Sequence, residues 1–265
     1  MTELKTYSES QLAALLPYPQ KDANKYSRGK MTLVAGCNAF PGAASLAGRA
    51  GQRMGAGYTE VITDPEALLA IRVTQTSLVV KPWDSWEARS MMMARPDRPA
   101  AAVIGSGFEM GDMVATHLVT EVLQYAKMPI LVDGGGLGML TSEKNRELLK
   151  NRYINGLVTV VTPHAGEAER LARPFDLPTE DPKRLSELIS LAYGVVCVLK
   201  GPDTYISNGE ETTVIDKGTA VLAKAGTGDV LAGMAGALLA QGLNAYDACV
   251  LAVYLHAAAG RIAAE

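Results

Sequence analysis

The stretch Met31-Thr32-Leu33-Val34-Ala35-Gly36-Cys37-Asn38-Ala39-Phe40-Pro41-Gly42-Ala43 decides the fold. Apolar and β-branched residues come first, a glycine turn follows, and from Ala43 the composition becomes helical as far as residue 54. A strand apolar along its whole length has both faces buried, as in a parallel sheet covered by helices on each side. The same change of character recurs down the chain. Strands are predicted at 58–62, 101–104, 129–132, 158–161 and 195–199, with helices at 112–126, 142–151 and 182–193 between them. Such alternation predicts an α/β fold of three layers, α/β/α, around a mainly parallel central sheet.

The style changes after Lys200. Residues 204–207 and 211–215 flank Asn208-Gly209, a pair suited to the two-residue hairpin turn, so an antiparallel edge is expected. Two alanine-rich helices are predicted at 230–241 and 245–264, with small faces that allow close packing on a sheet. The stretch 81–99, with two tryptophans and a methionine triplet, is the most irregular and carries only weak strand signals.

At 265 residues and 48% hydrophobic content the chain suits one domain over 1–265, with 1–24 as an N-terminal extension or helix. Its net charge of -3 offers no basic field to hold nucleic acid or an anionic membrane. The longest nearly apolar stretch, 230–240, falls short of the roughly 18 residues that span a bilayer. Glu3, Lys5 and Glu9 interrupt the first 16 residues, which lack a signal peptide's apolar block, so a soluble, cytoplasmic protein is expected. Cys37, Cys197 and Cys249 show no CxxC spacing and read as small buried hydrophobes rather than disulfide or zinc ligands.

The sharpest motif is Ala225-Gly226-Thr227-Gly228-Asp229, directly before a helical run. Its glycines let the amides of Gly226, Thr227, Gly228 and Asp229 converge at a helix N-terminus, an anion hole with a carboxylate inside it. Asp229 then suits a general base taking a hydroxyl proton while the amides bind charge on a transferred phosphoryl group. The plainer alternative is an Asp N-cap after a glycine turn.

Lys200-Gly201-Pro202-Asp203-Thr204 ends a predicted strand, where α/β sheets bind ligands, and is sited for nucleotide phosphates; a solvated turn lysine is the alternative. Thr162-Pro163-His164-Ala165-Gly166-Glu167 ends another strand. His164 can donate or accept there. Glu167 is spaced to reach the same crevice or a magnesium ion bridging phosphates, or simply to stabilise its own helix as a first-turn acid. His117 and His256 fall inside helical patterns and read as packed or surface residues. Glycine turns at 36–43 and Gly105-Ser106-Gly107 complete one rim. The P-loop, GxGxxG, HExxH and GxSxG patterns are absent.

In order and spacing, Gly36 to Ala43, Gly55-Ala56-Gly57, Gly105 to Gly107, Val132-Asp133, Thr162 to Glu167, Lys200 to Thr204 and Ala225 to Gly233 resemble the ADP/ATP-dependent (S)-NAD(P)H-hydrate dehydratase family from about Lys25 onward. The resemblance implies a ribokinase-like fold and repair of hydrated NADH or NADPH. In that reaction ADP or ATP phosphorylates the ring hydroxyl and phosphate is eliminated. It further implies that Ala43, Gly107 and His164 contact the hydrated dinucleotide, and that Lys200, Gly201, Pro202, Asp203, Thr204 and Gly228 hold the adenine nucleotide. The resemblance also implies that Asp229 acts as base beside Gly226, Thr227 and Gly228. Mg2+ is an implied cofactor, a homotetramer the implied assembly, and any epimerase is expected on a separate chain.

Two elements depart from the family pattern. A second acid usually follows the strand-ending aspartate, but the run here is Asp133-Gly134-Gly135-Gly136-Leu137. The usual Asn-Thr-Gly-Asn is replaced by Asp216-Lys217-Gly218-Thr219-Ala220. A small-molecule kinase of the same superfamily, and a nucleotide-binding regulator without turnover, are the alternative readings. ADP against ATP, and hydrated NADH against hydrated NADPH, stay open.

Overall fold

The computed structural model describes residues 3–91 and 93–265. Met1 and Thr2 of the expected N-terminal segment, and Met92 of the methionine triplet, lie outside them. The chain opens with β1 (Glu3–Leu4) and α1 (Glu9–Ala14), then alternates β2 (Lys30–Val34), α2 (Pro41–Arg53), β3 (Tyr58–Thr63), α3 (Leu68–Thr74) and β4 (Val79–Pro82). After an irregular segment come β5 (Ala100–Ile104), α4 (Met113–Tyr125), β6 (Ile130–Val132), α5 (Gly135–Met139) and α6 (Glu143–Ile154). Next follow β7 (Thr159–Val161), α7 (Ala165–Ala172), α8 (Pro182–Tyr193), β8 (Val196–Leu199), β9 (Thr204–Ser207) and β10 (Glu211–Ile215). Helices α9 (Thr227–Ala240) and α10 (Ala245–Ile262) complete the fold.

All ten strands form one sheet in the order β1-β10-β9-β8-β7-β6-β5-β2-β3-β4. From β8 to β4 every pairing is parallel, and β9 and β10 turn antiparallel as the hairpin signal predicts. The N-terminal segment adds β1 in parallel to β10, the hairpin's outer strand, and so covers that edge. Its helix α1 begins at Ser8, which forms a capping box with Gln11.

Each face of the sheet carries its own core. On one side Met31, Leu33, Val61 and Val103 meet α2, α9 and α10 through Ala44, Ala47, Ala235 and Val250. On the other side Val34, Ile104, Ile130 and Val132 meet α4 to α8 through Leu118, Leu137, Leu149, Leu171 and Ile189. This is the three-layer arrangement expected of strands apolar on both faces. The alanine-rich helices pack as closely as their composition allows: a Cβ on Gly233 of α9 would fall 2.1 Å from the Ala47 carbonyl of α2. Buried Arg152 closes the far end of the sheet, donating to the carbonyls of Ala126, Met128 and Val158; burial lowers its pKa to about 10.

Several elements exceed what periodicity foretold. β4 lies at the start of the irregular stretch, and α3 and α5 are short helices after glycine- or proline-containing turns. All three cysteines are free and buried, as expected of small hydrophobes. No described helix is long and apolar enough to cross a membrane.

Candidate active site

Chain order reverses between β2 and β5. From β2 the chain moves outward through β3 and β4, then returns to place β5 on the other flank of β2. In open α/β sheets such a switch point leaves a crevice at the carboxyl ends of the strands. Here the two glycine turns bound that crevice and bond to each other, the Gly36 amide donating to the Ser106 carbonyl at 2.9 Å. Gly107, at φ 72°, turns back against α2, where a Cβ would lie 2.7 Å from the Ala43 Cβ and 2.9 Å from the Phe40 carbonyl. Ala43 and Gly107 thus meet as one floor, whose only side-chain bulk is a methyl group. A separate cavity of about 780 Å³ lies at the opposite end of the sheet, against Val158 and Val195, away from these loops.

The neighbouring strand ends carry a buried polar cluster. Asp133 follows β6 and is 2% exposed. Its Oδ2 accepts from Ser106 Oγ at 2.9 Å, and its Oδ1 accepts from Thr162 Oγ1 at 2.6 Å and from Lys200 Nζ at 3.0 Å. Lys200 Nζ also stands 3.9 Å from Glu167 Oε2. Burial opposes the ammonium charge, but the Asp133 and Glu167 carboxylates outweigh it and hold the lysine pKa above its ordinary value. Lys200 is therefore no solvated turn lysine. The Lys200 amide donates to the Pro163 carbonyl at 2.8 Å, which sets the ends of β7 and β8 side by side. Gly201, Pro202 and Asp203 form an exposed turn beyond it, and Thr204 opens β9, donating to the Gly201 carbonyl at 3.4 Å.

His164 caps α7. Its Nδ1 accepts from the amides of Gly166 at 3.1 Å and Glu167 at 3.4 Å, which leaves Nε2 as the protonated nitrogen of the neutral ring. Glu167 answers by accepting the His164 amide at 2.8 Å. The first-turn role foreseen for Glu167 is thus real, and it coexists with the acid's position beside Lys200. Burial raises the Glu167 pKa, against the opposing pull of Lys200. Among the described residues no group of three or more His, Cys, Asp or Glu could hold a metal ion.

Helix α9 faces this cluster with its N-terminus. Gly226 is its N-cap at φ 93°, a left-handed conformation that glycine adopts freely. Thr227 Oγ1 ties the approach loop by donating to the carbonyls of Leu222 at 2.8 Å and Lys224 at 2.9 Å. A Cβ on Gly228 would sit 3.4 Å from Lys200 Nζ, so the first turn of the helix lies against the lysine. Asp229 is the third residue of the helix and not its N-cap, which removes the plainer explanation of the motif. Burial, reinforced by the nearby Asp133 charge and partly offset by Lys200, pushes the Asp229 carboxyl up to about 6. A carboxylate titrating there is suited to collect a proton near neutral pH.

His256, read as a packed or surface residue, is half-buried beside α9. Burial lowers its pKa, a hydrogen bond to the Thr227 backbone opposes that, and the Lys200 charge adds to it. His117 is exposed, 3.6 Å from Glu121, as expected of a surface residue. The Asp133-Gly134-Gly135-Gly136 run is tightly enclosed: a Cβ on Gly135 would lie 2.1 Å from the Phe108 carbonyl.

A family model described as NAD(P)H-hydrate dehydratase matches residues 31–265. The chain belongs to that family. It is 29% identical to the ADP-dependent (S)-NAD(P)H-hydrate dehydratase of Cenarchaeum symbiosum, over 97% of this chain and 88% of the relative. It is also 29% identical to the bifunctional NAD(P)H-hydrate repair enzyme of Escherichia coli, over 99% of this chain but only 48% of the relative, so it spans about half of that protein. Among solved structures, the ADP/ATP-dependent NAD(P)H-hydrate dehydratase of Bacillus subtilis, co-crystallised with ATP and Mg2+, superposes with a TM-score of 0.79 at 26% identity, covering 98% of this chain and 89% of that one. The ribokinase-like fold is thereby established. The family's dehydratase members, rather than the kinase or regulator alternatives, are what the chain resembles over its length.

Proposed function

We propose that the chain dehydrates (S)-NAD(P)H hydrate to NAD(P)H at the expense of a nucleotide, ADP yielding AMP and phosphate. The observation that carries this reading is a single carboxylate, Asp229, in the first turn of α9 with its pKa raised to about 6 beside Lys200. Asp229 takes the proton of the ring hydroxyl as that oxygen attacks the terminal phosphorus, and the bond to the leaving nucleotide breaks. The phosphorylated carbon then loses phosphate as the ring nitrogen's lone pair pushes in and a ring proton departs, restoring the reduced nicotinamide. The amides of Gly226, Thr227 and Gly228 meet charge growing on the transferred group, where fixed dipoles are effective. Lys200 holds the phosphates, and Gly201, Pro202, Asp203 and Thr204 cradle the rest of the adenine nucleotide. Ala43, Gly107 and His164 contact the hydrated dinucleotide.

Glu167 would stand beside a magnesium ion brought by the nucleotide, which would supply charge neutralisation when bound. A cytoplasmic homotetramer belongs to the same proposal. The test mixes protein, magnesium, hydrated NADH and either ADP or ATP, and follows the return of reduced-nicotinamide absorbance. Recovery that needs one nucleotide and is abolished by chelating magnesium supports the reading. Nucleotide binding without recovery overturns it.

A further inference from the structure

The chain's two tryptophans, Trp83 and Trp86, lie in the irregular segment after β4 and play no part in the chemistry described above. Pro82 ends β4 on the same rim as the other carboxyl-terminal loops, so Trp83 enters at the edge of the substrate floor. The Trp83 ring stands edge-on to Phe108, with centroids 6.0 Å apart and planes inclined at 76°. Phe108 adjoins Gly107, which rests on Ala43. A chain of contacts therefore runs from Ala43 through Gly107 and the buried Phe108 to Trp83.

Beyond that edge a groove of about 630 Å³ runs between the 83–89 segment and the outer face of α4, lined by both indoles. Its polar residues lean acidic. Asp84, Glu87 and Glu121 line it together with Arg89 and His117. Arg89 is already engaged, its Nη2 donating to Tyr125 Oη at 2.7 Å with the guanidinium over that ring, and His117 stands beside Glu121. Half-exposed indoles offer a stacking surface to a flat heterocycle. Carboxylates accept from ribose hydroxyls and repel a phosphate.

We infer that this groove holds the adenosine half of the hydrated dinucleotide, with adenine against the indoles and the acidic rim selecting hydrated NADH over its 2′-phosphorylated counterpart. The inference rests on the repair reaction proposed above. Since tryptophan occurs at these two positions alone, intrinsic indole fluorescence of the unmodified protein reports on this groove.

Titration of the wild-type protein with NAD+, NADP+ and nicotinamide mononucleotide is expected to quench that emission with NAD+, at least several-fold less tightly with NADP+, and not with the mononucleotide. Kinetically, Trp86→Ala is expected to raise KM for hydrated NADH about tenfold, a typical loss for one stacked base, and to leave KM for hydrated reduced nicotinamide mononucleotide unchanged. Glu87→Arg, at an exposed position, keeps the inference testable should Trp86→Ala fail to fold; it is expected to lower KM for hydrated NADPH several-fold. Equal responses to dinucleotide and mononucleotide, or unchanged KM values in both variants, overturn the groove while leaving the repair reaction standing. Adenine-dependent quenching in a protein with no turnover does the reverse.

Discussion

Lys200 Nζ sits 3.0 Å from Asp133 Oδ1, joining the end of β8 to the end of β6 across the intervening strand β7. The pair is buried from water on the carboxylate side, and Ser106 and Thr162 complete the Asp133 shell. A buried ion pair of this kind costs much to break from one side, because the remaining charge has no solvent to replace its partner.

Lys200→Met is accordingly expected to destabilise the protein by roughly 3–5 kcal/mol and to abolish nucleotide binding. Asp133→Asn with Lys200→Met is expected to recover part of that stability without recovering binding. Urea denaturation read alongside nucleotide titration checks both, and a stable single variant that still binds nucleotide contradicts the role given to Lys200.

Asp229→Asn removes the base while keeping the shape of the α9 N-terminus. Turnover is expected to fall by several orders of magnitude with nucleotide binding retained. Stability should move the other way. The folded pKa of about 6 exceeds the ordinary 3.8, so the native state binds the proton more tightly and stability declines as pH rises through that window. Asn lacks this penalty. Melting temperature at pH 8 is expected to rise by a few degrees over wild type, with the difference vanishing below about pH 4.

The acid limb of kcat is expected to follow the same carboxyl, halving near pH 6 with a slope of one proton. Because Asp133 contributes to the raised value, Asp133→Asn is expected to move that limb to lower pH in whatever activity remains. A pH-rate profile flat from 5 to 8 would detach Asp229 from the proton transfer.

Placing an acid within the Asp133-Gly134-Gly135-Gly136 run is not expected to improve this chain. Gly135→Asp brings a Cβ to within 2.1 Å of the Phe108 carbonyl, and backbone must shift to admit it. Overpacking of this kind costs roughly 1–3 kcal/mol. The loop that carries Gly107 moves with Phe108, so KM for the dinucleotide is expected to rise more than KM for ADP. Calorimetry and steady-state kinetics on the single variant separate the two effects.

Much of this architecture is local in origin. Buried strands such as Leu33-Val34 and Val160-Val161 are recognisable because burial on both faces demands apolar residues at every position. The hairpin is recognisable because Asn208-Gly209 meets a backbone requirement inside a few residues. Asp229 stood out for the same reason, since its flanking glycines serve a turn that the helix start itself requires. α3, α5 and β4 were not legible, being short elements held by tertiary packing on either side of a glycine-rich or tryptophan-rich loop. Whether His256 packs or faces solvent was not decidable from periodicity because its helix is apolar nearly all round, so the pattern does not say which face meets α9.

By itself, the sequence determined the layers, the direction of most strands and the residues able to carry phosphoryl chemistry, because these follow from period, glycine geometry and side-chain type. Only the tertiary structure decided which of those groups meet. Lys200 lies 67 residues from Asp133, and Asp229 is further still along the chain. Their mutual charges, the exclusion of water around them and the raised Asp229 pKa exist only where β6, β8 and α9 converge, since electrostatics depends on distance and burial rather than on order along a chain.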